Sequence, residues 1–202
     1  MERIRRIPII VWFLVGALVI LGVGIWFFTT NSALTGSDKK NPDDPIPVSR
    51  DVPGTKYFKI VGRTHIASGV PGTGYISNPP TSGNHWASPA KNGIYDKQLP
   101  DEQIIHDLEH GYVWISYVPK AKGEATPGAK VKDGVSDEVV KKLKEIVEGD
   151  NWKVILEPRA NDDAPIVLVA WGRLLNLETP DYNKIKDFIK TYRDRGPEKT
   201  PE

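Results

Sequence analysis

The stretch Asp101–Val118, DEQIIHDLEHGYVWISYV, has the least freedom of any in this chain. Asp101 suits a helix N-cap, where a carboxylate accepts hydrogen bonds from free backbone amides. Glu102 sits well near the positive end of the helix dipole. Ile104, Ile105 and Leu108 form one apolar side, and Gly111 suits the position just past the helix, where the chain needs a positive φ. Tyr112–Val118 is β-branched and aromatic, as a central strand requires. A short helix therefore runs into a buried strand, with His106, Glu109 and His110 held at the junction.

The flanking segments read in the same way. Tyr57–Arg63 alternates like a strand. Residues 68–93 are rich in Gly, Pro, Asn and Ser and read as a long loop carrying His85 and Trp86. Ser136 caps a helix with acidic residues in its first turn and the apolar stripe Val139, Val140, Leu143, Ile146 and Val147. Trp152–Glu157 and Ile166–Trp171 read as strands, expected to pair as a hairpin across Asn161–Pro165. Pro180 suits the first turn of a last helix, with Ile185, Phe188, Ile189 and Tyr192 facing the core. Arg173, Arg193 and Arg195 read as solvated. Trp86, Trp114, Trp152 and Trp171 read as core. The order predicts an α+β fold, a single mixed β-sheet with packed helices. A thioredoxin-like arrangement fits the last five elements, but without that fold's cysteines.

Ahead of this domain, Ile7–Ser37 carries no charged residue, and Ile9–Phe28 is almost wholly apolar. About 20 apolar residues at about 1.5 Å each span a hydrocarbon core of about 30 Å. Trp12 at one end and Trp26, Phe27 and Phe28 at the other suit the interfaces, and Arg3, Arg5 and Arg6 keep the N-terminus in the cytoplasm. A cleaved signal peptide would have a shorter apolar region ending in small residues. The expected organisation is a basic cytoplasmic head (1–7), one N-terminal transmembrane helix (8–28), a disordered Pro-rich stalk (29–54), an extracytoplasmic domain (55–198) and a short tail (199–202). The predicted location is the cell membrane, single-pass, with the C-terminal domain outside.

Composition removes several functions. The chain of 202 residues has 27 basic and 26 acidic side chains, and this near-neutral balance offers no electrostatic footprint for nucleic acid. It has no cysteine, so disulfides, zinc ribbons and thiol catalysis are excluded. Its one methionine is Met1, which excludes a Met-rich copper(I) site.

Several motifs carry a resemblance. Ser77–His85 (SNPPTSGNH), Gly93-Ile94-Tyr95, His106–Val113 (HDLEHGYV), Ala170–Arg173 (AWGR) and Gly196-Pro197-Glu198 occur in this order, and together they resemble the signatures of domain of unknown function family 3105. The resemblance covers about residues 57–198 and implies a membrane-anchored bacterial extracytoplasmic protein. It implies no activity.

The four histidines, His65, His85, His106 and His110, all fall between positions 65 and 110. On a helix, residues four apart share a face about 5–6 Å apart, so His106 and His110 are placed to meet at one ion. His85 and His65 would join from the preceding loop and strand end. Glu109 and Glu102 would serve as an oxygen ligand or as acceptors for an imidazole N–H. Nitrogen and oxygen donors without sulfur favour Zn²⁺ or Cu²⁺. The predicted function is therefore non-enzymatic transition-metal binding outside the membrane. Two alternatives stay open. One is a structural or protein-interaction module in which the histidines only pack and hydrogen-bond. The other is a small metallohydrolase, because His106–His110 matches H-x-x-E-H with Glu109 as base. Against the hydrolase, Gly111 ends the helix one residue after the motif.

Overall fold

The computed structural model describes residues 41–120 and 134–201. The predicted head, the membrane span and the first part of the stalk lie outside the described residues. Among the described residues, no helix is long and apolar enough to cross a membrane.

Among the described residues, eight strands and three helices belong to the unit that begins at Pro42. In chain order they are β1 (Lys56–Tyr57), β2 (His65–Ile66), β3 (His85–Trp86), β4 (Gly93–Ile94), α1 (Asp101–Glu109), β5 (Val113–Tyr117), α2 (Asp137–Gly149), β6 (Val154–Pro158), β7 (Ile166–Ala170), β8 (Arg173–Leu177) and α3 (Tyr182–Tyr192). Six strands form one mixed sheet in the order β1-β8-β7-β5-β6-β4, while β2 and β3 pair separately. The fold is α+β with a single main mixed sheet, as the element order predicted.

The sheet is apolar on both faces because helices cover both. Strand side chains alternate with period two, and β5 shows the result. Val113, Ile115 and Tyr117 join one core, with Leu143 and Val147 of α2 and with Ile185, Phe188, Ile189 and Tyr192 of α3. Trp114 points the other way, into a second core with Ile104, Ile105 and Leu108 of α1. Strands buried on both sides read as unbroken apolar runs such as VWISY and IVLVA. Helix α2 starts at the expected cap, Ser136, whose hydroxyl accepts from the Val139 amide. The expected stripes of α2 and α3 face the core.

Strand pairing differs from the sequence-based expectation. Strands β6 and β7 do not form a hairpin, because β5 lies between them. It is parallel to β6 (Trp114 opposite Ile155) and antiparallel to β7 (Trp114 opposite Val169). The true hairpin is β7–β8, closed by Trp171-Gly172 with Ala170 opposite Arg173. Gly172 has φ +67°, and this glycine is the turn signal behind AWGR. Arg173, expected in solvent, is buried on β8, and its guanidinium donates to the Ile46 carbonyl at 3.1 Å. Trp152, expected in the core, is exposed. Pro180, expected at the first position of the last helix, lies just before it, and Asp181 caps α3 by accepting from the Lys184 amide at 3.0 Å.

Residues 41–54 were expected to belong to a disordered stalk. They instead run along the domain in irregular conformation. The Trp171 indole donates to the Asp43 carbonyl at 2.8 Å, and the Ile46 amide donates to the Arg195 carbonyl at 2.9 Å. The Val52 amide donates to the Tyr192 hydroxyl at 3.0 Å, with Val52 buried in the first core. Polar composition without periodicity looks disordered when the partners lie more than a hundred residues away.

A buried polar network fixes the start of α1. Asp101 does not cap the helix; it accepts a bidentate pair from Arg159 at 3.1 and 2.7 Å. Arg159 also donates to Asp162 and Asn78, both at 2.7 Å. Glu157 lies in the same region, opposite Ser116 on β5, and accepts from the Leu99 amide at 2.6 Å. Burial, with Asp101 and Asp162 adding to it, pushes the Glu157 carboxyl up to about 8 against the pull of the Leu99 amide and Arg159. A folded-state pKa above the unfolded one means stability is greatest below about 4.5 and falls as pH rises through about 8. Glu157→Gln keeps the acceptor for Leu99 and removes the buried charge. It is expected to match the parent at pH 5 and to exceed it at pH 9 by on the order of 3 kcal/mol, since one pKa unit is about 1.4 kcal/mol. Urea midpoints at the two pH values measure this, and equal midpoints at pH 9 would refute it.

Candidate metal centre

Three elements far apart in sequence deliver the ligands. Strands β2 and β3 are parallel, with His65 directly opposite His85, so both imidazoles leave the same face of the pair. The loop before β3 is fastened to the chain leading into β2. The Gly83 amide donates to the Gly62 carbonyl at 3.0 Å and the His85 amide to the Thr64 carbonyl at 3.1 Å. Helix α1 packs against β3 and brings His106 to the pair. The ring centroids of His65, His85 and His106 lie 4.9, 5.0 and 5.1 Å apart in the three pairings.

Glu109 completes the group. One ligand atom each from His65, His85, His106 and Glu109 lies within 4.8 Å of the others. His85, His106 and Glu109 are buried, while His65 is exposed and marks the open side. Glu109 is the residue three on from His106 and projects from the same side of α1.

The ring orientations are set from behind. His85 Nδ1 is 2.9 Å from the Gly83 carbonyl and His106 Nδ1 is 2.8 Å from the Trp86 carbonyl. A carbonyl only accepts, so each Nδ1 carries a hydrogen, and in a neutral ring Nε2 then keeps a lone pair. Metal-binding histidines commonly show this support. Burial pushes the His106 pKa down, opposed by the Trp86 carbonyl and helped by His110, His85 and His65, which favours its neutral form. Burial alone would raise Glu109, but His85 and Arg63 outweigh it and hold the carboxyl below its ordinary value.

Of the four histidines placed together by sequence reasoning, three converge and His110 does not join their ligand set. Its ring lies 4.5 Å from that of His106. However, α1 ends at Glu109, and His110 has already left the helix with ψ 2°. Its ring atoms group instead with Glu109 and Glu198. The two rings stay neighbours, as the i, i+4 spacing predicts, but the ligand atom of His110 falls with Glu109 and Glu198. The H-x-x-E-H reading, which needs both histidines in one ligand set with the glutamate outside it, loses its geometry. Glu109 stands within the ligand set instead of behind an attacking water. Glu102 stands elsewhere, accepting the Gly72 amide at 2.7 Å and tying the long loop to α1.

Two residues near the centre were not singled out from sequence. Arg63 donates to Glu109 Oε1 at 3.0 Å and to Asp43 at 2.7 Å. Glu198 stands 3.8 Å from Arg63. Arg63 lies in a stretch that reads as an ordinary strand but is irregular between β1 and β2, and Glu198 in a tail segment whose Gly-Pro-Glu was the one available signal.

A family model described as protein of unknown function (DUF3105) matches residues 71–202, well over half of the chain. The chain belongs to the DUF3105 family. No curated protein and no solved structure matches it significantly. The matched part of the DUF3105 chain holds His85, His106, Glu109, His110 and Glu198, while Arg63 and His65 precede it.

The DUF3105 tail is set against α1 without room for a side chain. Gly111, at φ +86°, carries the chain past the helix, and its carbonyl accepts the Asp194 amide at 2.7 Å. A Cβ on Gly196 would run into the Glu109 carbonyl oxygen and the Gly111 nitrogen, both backbone atoms that cannot swing aside. Gly196→Ala is expected to destabilise the domain by about 1–3 kcal/mol, the usual range for overpacking. Chemical denaturation measures this, and an unchanged midpoint would show that the tail is not seated as described.

Proposed function

We propose that this protein binds one exchangeable Zn²⁺ or Cu²⁺ ion through His65, His85, His106 and Glu109, in an extracytoplasmic domain held to the membrane by Ile9–Phe28. The observation that carries the reading is a pair of buried atoms. His85 Nε2 and Glu109 Oε2 lie 3.1 Å apart, and neither makes a hydrogen bond of acceptable geometry. With Nδ1 donating to Gly83, a neutral His85 presents a lone pair to a carboxylate oxygen. Two buried acceptors facing one another are unfavourable unless a cation lies between them.

The donor set fits such an ion. Three imidazole nitrogens and one carboxylate oxygen complete a tetrahedron, and no sulfur is present. Zn–N bonds of about 2.0–2.1 Å place tetrahedral ligands about 3.3 Å apart. Their present separations, all within 4.8 Å, close to that spacing with side-chain shifts of at most about an ångström each. Four protein ligands leave no open position on a tetrahedral ion, which favours holding or transferring metal over catalysis. The exposed ring of His65 supplies a way in and out.

A proton is the rival cation. A doubly protonated His85 would pair with Glu109 and satisfy the centre without metal, giving a structural or interaction module. The thioredoxin-like reading of the fold is supported by the inner four strands β8-β7-β5-β6, in which β7 alone is antiparallel to its neighbours, and by helices on both faces. Lacking cysteine, the chain takes no redox chemistry from that likeness.

The test uses the full chain, untagged, extracted in detergent from cells supplemented with zinc and copper, and assayed for bound metal. At least one ion per chain is expected, and the His85→Ala/His106→Ala double variant should lose it. Equal metal content in parent and variant would overturn the site.

A further inference from the structure

Glu109 has two oxygens, and they face different neighbours. Oε2 turns toward His85, and Oε1 turns toward Arg63. Glu109 also belongs to a second set of ligand atoms. One each from Glu109, His110 and Glu198 lies within 4.8 Å of the others.

We propose that this second set takes a divalent cation, so that Glu109 bridges two ions in a dinuclear centre. The proposal rests on the first ion being bound as described above, because the two sites share that carboxylate.

Three observations carry it. First, the position already attracts a cation. Arg63 stands there with its guanidinium 2.7 Å from Asp43, 3.0 Å from Glu109 and 3.8 Å from Glu198. These carboxylates make the point a negative one. The C-terminal end of α1, which carries the negative end of the helix dipole, adds to it. Arg63 is 38% exposed, so its side chain can swing into water when an ion replaces it.

Second, Glu198 is placed by backbone contacts that do not involve its carboxylate. The Glu198 amide donates to the Glu109 carbonyl at 3.1 Å, and the Asp194 amide to the Gly111 carbonyl at 2.7 Å. The fully buried ammonium of Lys153 donates to the His110 carbonyl at 3.0 Å and to the Thr200 carbonyl at 3.1 Å, clamping the tail on both sides of Glu198. A ligand held by its own backbone is organised before the ion arrives. Third, the His106 and His110 rings are in edge contact, at 4.5 Å between centroids. This places the two ligand sets side by side, with Glu109 common to both.

The two ions would differ. The first has four protein ligands. The second has three, which leaves a position open to water, and it must displace Arg63. The second ion is therefore the weaker and the more exchangeable.

The experiment titrates the full chain in detergent with Cu²⁺ and follows it by electron paramagnetic resonance and metal analysis. The first equivalent is expected to give a normal mononuclear signal. The second is expected to reduce and broaden that signal through coupling across Glu109. Glu198→Gln, a change at a half-exposed side chain, should retain the first equivalent and lose the second. Arg63→Ala should bind the second equivalent at least tenfold more tightly, because the competing cation is gone. Saturation at one equivalent overturns the second site and leaves the first standing. No bound copper overturns both. Two equivalents with uncoupled spectra, or two retained in Glu198→Gln, overturn the bridged assignment.

Discussion

Zinc at a hundredfold excess over its dissociation constant is expected to raise the thermal midpoint of this protein by about 5–10 °C and to leave the His85→Ala/His106→Ala variant unmoved. The magnitude follows from linkage. A ligand that binds only the folded state at 100 times its Kd adds about 2.7 kcal/mol. In a domain of this size, 1 kcal/mol corresponds to about 2–4 °C. The unfolded chain cannot compete well, since His65, His85 and His106 are brought together only by pairing β2 with β3 and packing α1 against them. The effect should fade in acid, because protons compete for the same lone pairs. At neutral pH the directions are favourable, with His106 pushed toward its neutral form and Glu109 toward its charged form. A zinc-induced rise that survives in the double variant would place the ion elsewhere. No rise in the parent would mean that a proton, not a metal, sits between His85 and Glu109.

Arg159→Ala is expected to lower stability by about 3–5 kcal/mol, the range for leaving buried charges without their partner. That is a large part of the roughly 5–15 kcal/mol that stabilises a typical domain. Arg159 is buried, stands over the Trp114 ring at 5.8 Å, and holds Asp101, Asp162 and Asn78 together. Removing it strands Asp101 and Asp162 close to Glu157. Acid should partly restore the variant, since burial pushes the Asp162 and Glu157 carboxyls up and protonating those two removes their repulsion. Its deficit should therefore be smaller at pH 5 than at pH 8. Arg159→Lys should recover part of the loss, because an ammonium lacks the planar fork that matches Asp101. A deficit under about 1 kcal/mol, as for a surface pair, would contradict this account. The same variant tests how the metal centre is supported. Asp101 begins α1, so loosening it should also weaken the site at the helix's other end.

Local patterns were legible where the physics is local. The stripes of α2 and α3 show in sequence because residues three and four apart share a helix face. Ser136 shows as a cap because it bonds only three residues away. Gly111 shows as a helix stop because positive φ is a property of one residue. Pairing was less legible. A short loop between β6 and β7 reads as a hairpin, and nothing local says that β5 inserts between them. Arg173 reads as solvated because its partner, the Ile46 carbonyl, lies in a segment that itself reads as disordered.

The candidate site divides in the same way. The sequence alone determined which side chains were available: four histidines in one stretch, glutamates on the same short helix, and no thiol. That inventory limits any ion to nitrogen and oxygen donors. Only the tertiary structure decided which of them meet. It chose His65, His85, His106 and Glu109, sent His110 to a separate group with Glu198, and placed Arg63 between two carboxylates. Ligand convergence depends on a parallel register between two-residue strands, on a helix packed against that pair, and on a tail that folds back from the far end of the chain. Each is settled by packing between distant segments.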